Sequence, residues 1–508
     1  MATTSSDGDV PQGHQQSPLA GQRTAEQALA RRSYFPLGYK EGFYQWWTSI
    51  SPAMAEHRVL SLIPNLQRPP THTQTGSAPA SAAASTMDIT TNPSHEAQPV
   101  TSIDDPYGPR RWFSNLVQLS GRDRALNEFS VERVGEEVEN NLVMLHGYGA
   151  GLGFFYKNFE PLSRAEGWKL YALDMLGMGR SSRPPFKIHA KTRQEQIIEA
   201  ENWFIDALEE WRVKRRIERF TLLGHSMGGY MAVAYALKYP GRLNKLILAS
   251  PVGIPEDPYA VNADMPDPDS STIQNEFTQD QDATVGDSPA PNGARSSATA
   301  TPRRPLPKWV TYLWDANVSP FSFVRWAGPL GPRLVSGWTS RRFSQLPPEE
   351  AKTLHDYSYS LFRQRGSGEY ALAYILAPGA FARNPLIRRI QGVGRQYIGL
   401  HSGPTVDPEG QSRPRENGVP VVLMYGEHDW MDIAGGYAAE AKINEQKERL
   451  LAGKSEEERS QDHGDAKVVI IQKAGHHLYL DGADQFNSVV LKEMEDVRRR
   501  ERERLARL

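Results

Sequence analysis

A pair of histidines, His476 and His477, stands in the segment AGHHLYLD, and Asp481 follows the first of them by five residues. A histidine held in a loop can take a proton from a hydroxyl and later return it, provided that a carboxylate fixes its tautomer. The pair therefore indicates general-base chemistry, for which we select His476 because it directly follows a glycine. His477 is the alternative, and it is otherwise interpreted as a residue that lines the pocket or is partly buried.

A matching nucleophile occurs in LLGHSMGG, where the pattern G-x-S-x-G centres on Ser226. An apolar strand precedes this pattern and a helix follows it, which is the context that places the serine in a strained conformation on a sharp turn, with its oxygen exposed. In such a turn the backbone N–H of Met227 faces a developing oxyanion from the helix N-terminus. A second oxyanion donor is expected from LHGYGAGLGFF, where the N–H of Tyr148 is selected. A phosphate-binding interpretation of that loop fails because no G-K-[ST] follows it.

The third member of such a site, an acid, is expected after a late strand. The segment VVLMYGEHDWMD offers Glu427, Asp429 and Asp432. We select Asp429 because it lies far enough into the loop to turn back toward a histidine. Asp174 also follows a strand, but it precedes the serine, and the chain order in hydrolases of this kind is serine, acid, histidine. Asp174 is therefore interpreted as structural.

The elements that must position these residues alternate along the chain as short apolar runs and helical patterns. Strands separated by helices predict an α/β fold with a mostly parallel central sheet and helices on both faces. An antiparallel pair is predicted first, in WFSNLVQL and NEFSVERV. The further predicted strands are residues 141–147, 169–174, 219–224, 244–250, 419–426 and 467–472.

Composition divides the chain into segments, and the largest interruption falls after the sixth predicted strand. A helical block inserted there predicts a cap over the carboxyl edge of the sheet, where ligands bind in such folds. The expected organisation is a disordered N-terminus 1–33, an aromatic membrane or cap segment 34–66, a low-complexity linker 67–104, a first part of the core 105–255, a disordered acidic insertion 256–307, a helical cap 308–400 and a second part of the core with a C-terminal helix 415–508.

Composition also excludes several classes of function. The chain of 508 residues has a formal net charge of −2 and no cysteine. There is no basic field to recruit nucleic acid, and disulfides, thiolate metal sites and a cysteine nucleophile are excluded. Hydrolysis by a serine needs no metal or organic cofactor, so none is expected.

An aromatic cluster near the N-terminus includes Phe43, Trp46 and Trp47. Tryptophan and tyrosine favour the interface between a membrane and water, because each joins an apolar ring to a polar tip. The cluster predicts either a peripheral membrane contact or packing of this segment against the protein's own cap. The residues alone leave both interpretations open.

The chain resembles an α/β-hydrolase of a lipid-acting subfamily. That subfamily holds lysophospholipases of N-acyl-phosphatidylethanolamine, a non-catalytic lipase co-activator, and the fungal cardiolipin-specific deacylase with its lysophosphatidate acyltransferase relatives. The matching stretches are SISPAMAEHRVL, LHGYGAGLGFFYKNF, LDMLGMGRSSRP, LLGHSMGGY, AYALKYPGRLNKLIL, NPLIRRI and AGHHLYLDGADQFN.

The resemblance implies a serine acylhydrolase of phospholipids, with cardiolipin as the preferred substrate and a mitochondrial, membrane-associated location. A cytoplasmic or lipid-droplet location is the alternative, and protein partners are not indicated. It implies as alternatives an acyltransferase that uses acyl-CoA as co-substrate, linked to the His-x4-Asp pair His476 and Asp481, or a non-catalytic lipid-binding co-activator. The co-activator carries asparagine at the nucleophile position, so the presence of Ser226 favours an enzyme. For Asp481 itself, its place just before the last predicted helix favours a helix cap over a chemical role.

Overall fold

A nine-stranded sheet organises the part of the chain that the computed structural model describes, namely residues 36–75, 97–102, 104–256, 317–377, 381–399 and 414–506. The strand order is β1-β2-β3-β5-β4-β6-β7-β8-β9. The pairs from β1 to β5 are antiparallel, and all pairs from β5 through β9 are parallel. The strands are β1 Val100–Ser102, β2 Arg110–Gln118, β3 Ala125–Arg133, β4 Asn140–Leu145, β5 Trp168–Leu173, β6 Phe220–His225, β7 Leu243–Ala249, β8 Val421–Gly426 and β9 Ala466–Ile471.

Helices cover both faces of this sheet and its carboxyl edge. The α-helices are α1 Tyr39–Thr48, α2 Pro52–Leu60, α3 Tyr156–Leu162, α4 Arg193–Lys214, α5 Met227–Lys238, α6 Pro320–Trp326, α7 Gly331–Arg342, α8 Pro348–Phe362, α9 Leu372–Ile375, α10 Ile433–Leu451, α11 Glu456–Ser460, α12 Leu478–Asp481 and α13 Ala483–Ala506. Short 3₁₀ turns occupy Leu152–Phe155, Gly328–Leu330, Gly368–Ala371, Leu386–Arg388 and Ile390–Gly392.

The fold class predicted from the sequence is confirmed. The central strands β6, β7 and β8 are buried along their whole length, which is why they appear as continuous apolar runs rather than as alternating ones. Two apolar cores lie against the sheet. One contains residues of α4, α5 and α10, and the other contains residues of α2, α3, α8 and α13.

The cap is inserted after β7. This is the sixth strand of the prediction, because the short β1 was not predicted from the sequence. The described cap helices α6, α7 and α8 pack on one another. The phenol oxygen of Tyr357 in α8 accepts a hydrogen bond from the N–H of Gly153 at 3.2 Å. This contact joins the cap to the loop that follows β4.

The prediction of a linker over residues 67–104 is wrong at both ends of that range. His72 is buried, and its Nε2 lies 2.6 Å from Oδ1 of Asn127 in β3. At the other end, Val100–Ser102 forms β1, which pairs with β2. The polar composition of this stretch concealed a few residues that pack on the core. Residues 76–96 and 103 lie outside the described part of the chain.

Polar side chains cap two of these helices. Asp432 caps α10 by accepting the N–H of Ala434 at 3.0 Å. Ser51 caps α2 by accepting the N–H of Met54 at 3.2 Å. The predicted disorder at 1–33 and most of the predicted insertion 256–307 fall outside the described residues. Within the described ranges, no helix combines the length and apolar character needed to cross a bilayer.

Candidate active site

Ser226 lies on the turn between β6 and α5, with φ 51° and ψ −116°. The turn is closed by glycines that admit no side chain. A Cβ on Gly224 would meet the carbonyl oxygen of Gly228 at 2.4 Å, and one on Gly228 would meet that of Leu145 at 2.6 Å. Such strain on a residue other than glycine persists only where the surrounding structure holds it, and it is typical of functional positions. The strained turn predicted from the motif is therefore present.

His476 and Asp429 are brought together as the sequence predicted. The Nδ1 atom of His476 lies 3.3 Å from Oδ1 of Asp429, and both side chains are buried. The carboxylate also accepts the N–H of Met431 at 3.0 Å and the N–H of Gly426 at 3.3 Å. The ring of Trp430 packs beside the imidazole, with centroids 4.9 Å apart. These contacts fix the acid in the loop after β8.

One side chain that the sequence did not indicate lies between these two. Ser250 follows β7 and is fully buried. Its hydroxyl oxygen lies 2.8 Å from Nδ1 of His476 and also forms a hydrogen bond with Asp429. A serine in the segment LASPVG carries no motif, so only the fold places it at the site.

The two adjacent histidines take different positions. His476 faces Asp429, whereas His477 packs between His225 and Phe154, at centroid distances of 5.0 and 6.4 Å. Burial lowers the pKa of His477 well below its usual value, and the positive charge of Arg342 acts in the same direction. His477 is therefore a neutral residue that lines the site, which is the alternative interpretation made from the sequence.

His225, the residue before Ser226, supports the loop of His476. Burial lowers its pKa well below the usual value, so the ring is neutral. Its Nε2 lies 3.0 Å from the backbone carbonyl oxygen of His476. Because a carbonyl only accepts, Nε2 carries the proton and donates. This bond links the end of β6 to the loop after β9.

Ser226 and His476 line one cavity. Its walls are mainly aromatic, and the rings of Phe321 and Phe362 stack at a centroid distance of 4.4 Å. The residues that line it are Tyr148, Gly149, Ala150, His225, Ser226, Phe321, Trp338, Phe362, Trp430, His476 and His477.

The two residues predicted as oxyanion donors both lie near Ser226. Met227 is the first residue of α5, and Tyr148 lines the cavity with its ring stacked on Phe321 at 5.0 Å. The loop approaches closely because residue 147 is glycine. A Cβ there would lie 3.0 Å from Cβ of Ser226 and 2.8 Å from Nδ1 of His225. Donation by the N–H groups of Tyr148 and Met227 to an oxyanion stays a prediction.

The remaining carboxylates near the site have structural contacts. Glu427 accepts the N–H of Lys473 at 2.8 Å, and Asp432 caps α10. Asp174 is buried and accepts N–H groups of Leu152 and Arg180, each at 2.7 Å. Asp174 thereby holds the turn that follows the Tyr148 loop. This agrees with its interpretation as a structural residue.

Asp481 does not have the position that we expected. It ends α12 instead of capping α13, because the chain is already helical from Leu478 and is interrupted at Gly482. Its carboxylate contacts Nη1 of Arg342 in α7 at 3.3 Å and accepts the N–H of Gly475 at 3.3 Å. Asp481 thus ties the cap to the loop that carries His476.

Comparison with known proteins identifies the family of this chain. A family model described as the alpha/beta hydrolase fold matches residues 140–483. A 1-acylglycerol-3-phosphate O-acyltransferase of Arabidopsis thaliana is 31% identical over 387 residues, covering 75% of this chain and 71% of that protein. The 1-acylglycerol-3-phosphate O-acyltransferase ABHD5 of Rattus norvegicus is 31% identical, covering 69% and 75%. A (Lyso)-N-acylphosphatidylethanolamine lipase of Bos taurus is 28% identical, covering 69% and 77%.

The chain belongs to the α/β-hydrolase fold family, and its resemblance to the lipid-acting subfamily is confirmed. The strained serine, the buried histidine–carboxylate pair and the aromatic cavity are the parts that nucleophilic catalysis requires. Among the residues that the structure describes, no group of three or more His, Asp or Glu side chains could hold a metal ion.

Proposed function

We propose that the chain transfers fatty acyl groups from lipid esters through a covalent acyl-Ser226 intermediate. The observation that carries this proposal is that Ser226 lies on a strained turn in the same aromatic cavity as His476, whose Nδ1 faces Asp429. An apolar cavity suits an acyl chain, and a serine activated by a histidine suits an ester carbonyl.

In the proposed first half-reaction, the hydroxyl oxygen of Ser226 attacks the ester carbonyl carbon while Nε2 of His476 takes the hydroxyl proton. The oxyanion is stabilised by the N–H groups of Tyr148 and Met227. Collapse of the tetrahedral intermediate breaks the bond to the leaving group, which receives the proton from His476. The acyl-serine then remains, and Asp429 holds the tautomer and stabilises the transient imidazolium.

In the second half-reaction, His476 deprotonates an acceptor that attacks the acyl-serine and regenerates Ser226. Water as acceptor makes the protein a phospholipase, for which cardiolipin is the substrate that the family resemblance favours. A lysolipid alcohol as acceptor makes it an acyltransferase. The names of the relatives, 1-acylglycerol-3-phosphate O-acyltransferase, favour that second reaction. For that reaction the family resemblance implies acyl-CoA as the donor. Its thioester then replaces the lipid ester in the first half-reaction, and the CoA thiol leaves with the proton from His476. In the proposed chemistry Asp481 acts only by holding the cap through Arg342.

The substrate must be taken from a membrane, and we propose that α1 contacts the lipid surface. One face of α1 packs on the cap: Gly42 lies against Arg333, and Nε2 of Gln45 donates to Asp356 at 2.8 Å. The other face exposes Phe43 and Trp47, at 50% and 71% of their surfaces. Packing against the cap and contact with a membrane therefore both have support, because they involve opposite faces of one helix.

The cap contributes to the same apolar surface. The segment from Gly328 to Leu330 and helix α7 both pack against α1. Leu330 is exposed, and Trp326 at the end of α6 is 70% exposed. Helix α6 also places Phe321 in the cavity wall. The proposed membrane contact is therefore continuous with the helix that borders the site, which suits either a mitochondrial membrane or a lipid-droplet surface.

Product analysis by mass spectrometry tests the proposal. Wild type and Ser226→Ala are incubated with cardiolipin-containing liposomes, with and without lysophosphatidate and acyl-CoA. The matched control is Ser358→Ala, a buried serine whose hydroxyl donates to the carbonyl of Leu354 within α8 at 2.7 Å. We expect product from wild type and the control, and a loss of at least about 1,000-fold in Ser226→Ala, as for a triad nucleophile.

The products decide between the two acceptors. Free fatty acid with monolysocardiolipin identifies a deacylase, and phosphatidate with little free acid identifies an acyltransferase. Activity retained by Ser226→Ala would remove the serine mechanism. No product from any mixture would favour the lipid-binding co-activator role instead.

A further inference from the structure

We infer that Ser250 is a positioning residue of the active site, which carries the hydrogen bond from His476 to Asp429 through its hydroxyl group. This inference deepens the proposed function and rests on it. Ser250 lies at the end of β7, the strand between those that end at Ser226 and near Asp429. The loops after β6, β7 and β8 meet at the carboxyl edge of the sheet. The fold therefore places Ser250 at the site although no sequence motif marks it.

Distances favour the route through the hydroxyl over the direct one. Nδ1 of His476 lies 2.8 Å from Oγ of Ser250 but 3.3 Å from Oδ1 of Asp429. A strong N–H···O bond has a heavy-atom distance of about 2.7–3.2 Å, so the shorter contact is the better bond. Asp429 in turn is bonded to the Ser250 hydroxyl.

The number of hydrogens fixes the direction of each bond. An ionised carboxylate has no hydrogen to give, so the single hydroxyl hydrogen of Ser250 points to Asp429. The hydroxyl oxygen must then accept from Nδ1–H of His476. Nε2 of His476 is left with its lone pair, which is the state needed to receive the proton of Ser226. The tautomer that the triad requires is thus imposed by Ser250 together with the carboxylate.

The backbone of Ser250 is held in an unfavourable conformation. Its φ is 48°, a region that residues other than glycine rarely occupy, and its N–H donates to the carbonyl of Met424 at 2.7 Å. A glycine would relieve this strain. The fold instead keeps a side chain here, and its hydroxyl has His476 and Asp429 as hydrogen-bond partners among the described residues. This is the combination expected of a residue retained for its hydroxyl group.

The test measures how fast an alkyl fluorophosphonate labels Ser226, as a function of pH, by intact-protein mass spectrometry. This reagent needs an activated serine but no knowledge of the natural lipid. The variants are Ser250→Ala and Ser250→Gly, with Ser358→Ala as the control. Ser250→Gly also relieves the positive φ, so it separates the loss of the hydroxyl group from any loss of stability in Ser250→Ala. Thermal unfolding by circular dichroism is followed for each protein.

We expect both Ser250 variants to be labelled roughly 10- to 100-fold more slowly, the size that one hydrogen bond to a charged group supports. The acid limb of the pH profile should move to lower pH by about one unit, because the imidazolium loses an acceptor. The other ionisable groups facing this ring are Asp429, His225 and His477, with Arg342 beyond them in α7. All of these are unchanged in the variants.

A merely structural role would change the unfolding temperature and leave the acid limb in place. If folded Ser250→Gly is labelled at the wild-type rate with the wild-type pH profile, the inference is wrong. If wild type itself is not labelled while Ser226 is accessible, the failure lies in the proposed serine chemistry and the inference falls with it. The two failures are therefore distinguishable.

Discussion

At the scale of single residues, the site depends on atoms that must approach one another more closely than side chains normally permit. Gly147 is the clearest case, since a Cβ there would meet both His225 and Ser226. The same contact brings the Tyr148 loop close to Ser226. This glycine is therefore required by the geometry of the site.

Gly147→Ala tests that requirement. The added methyl group must displace the Tyr148 loop or the Ser226 turn, so the oxyanion donor moves away from the reacting carbonyl. Loss of one such donor costs about 100- to 1,000-fold in turnover. We expect kcat to fall by that amount, with a loss in unfolding free energy of only about 1–3 kcal/mol for overpacking. Steady-state hydrolysis of a short-chain p-nitrophenyl ester, together with urea unfolding, measures both quantities.

Gly135 offers a matched control, because it lies in the turn after β3 with open space around it and a φ of 83°. Gly135→Ala should lose some stability to backbone strain while its turnover stays at the wild-type value. Equal losses of turnover in both variants would mean that the close approach at Gly147 has no special role.

At the scale of elements, helix α1 is unusual because it exposes large aromatic rings. Phe43, Trp46 and Trp47 contact one another, with centroids 5.9 to 6.3 Å apart. Arg333 of α7 lies over the ring of Tyr39 at 4.0 Å. The helix is thus anchored to the cap while its outer face remains available to another surface.

Replacing Trp46 and Trp47 together by serine should weaken binding to vesicles without affecting the chemistry. Burial of aromatic side chains in the interface supplies the binding free energy, so we expect the partition coefficient to fall by at least about tenfold. Sedimentation with phosphatidylcholine–cardiolipin vesicles measures it, and turnover of a soluble ester should not change.

Ile198→Ser and Val213→Ser serve as controls, since both residues are exposed on α4, away from the aromatic face. Wild-type sedimentation of the tryptophan variant would show that α1 is not the lipid contact. An equal loss in the α4 variant would show that binding depends on general surface hydrophobicity.

The elements also show what sequence could and could not predict. The β6–Ser226–α5 turn and the loops of Asp429 and His476 were predicted because each is a local pattern at the end of a buried strand. The roles of Ser250 and His225 were not predicted, because they arise from contacts with a residue far away in the sequence. Ser250 is separated from His476 by 226 positions, and His225 is separated from it by 251. Asp481 was misassigned because a carboxylate before a helix is a cap signal only if the preceding residues are not already helical.

At the scale of the whole molecule, the most consequential feature is a buried network that joins the N-terminal helices to the core. Glu56 of α2 forms an ion pair with Arg180, and both are fully buried. Asn127 donates to Glu56 at 2.9 Å and to Asp174 at 2.7 Å. His72 completes the network through its contact with Asn127. The segment 36–75 therefore supplies part of the support beneath the Tyr148 loop.

This network predicts a pH dependence of stability. Burial raises the pKa of Glu56 from 4.5 to about 7, and this effect outweighs the opposing attraction of Arg180. The folded state then binds more protons than the unfolded state between about pH 4.5 and 7, so this group's contribution to stability falls as pH rises through that window. The contribution is full below pH 4.5 and lost above 7.

Glu56→Gln, compared with wild type by urea unfolding from pH 4.5 to 8, isolates this contribution. The difference in unfolding free energy, wild type minus variant, should decrease with rising pH by up to about 3 kcal/mol. Ser358→Ala, which removes no ionisable group, is the control and should show a constant difference. A difference for Glu56→Gln that is constant or rises with pH would contradict the assignment.

The same network bears on where this protein can be cut. The family match covers residues 140–483, and these limits would be an obvious choice for a shortened protein. Yet a chain trimmed to those limits would leave the guanidinium of Arg180 without Glu56, and Asp174 without Asn127. It would also strip β1 to β3 from the sheet edge. The segment that the family model matches is thus smaller than the set of elements that pack together, so a shortened version of this protein should keep α2 and β1 to β3.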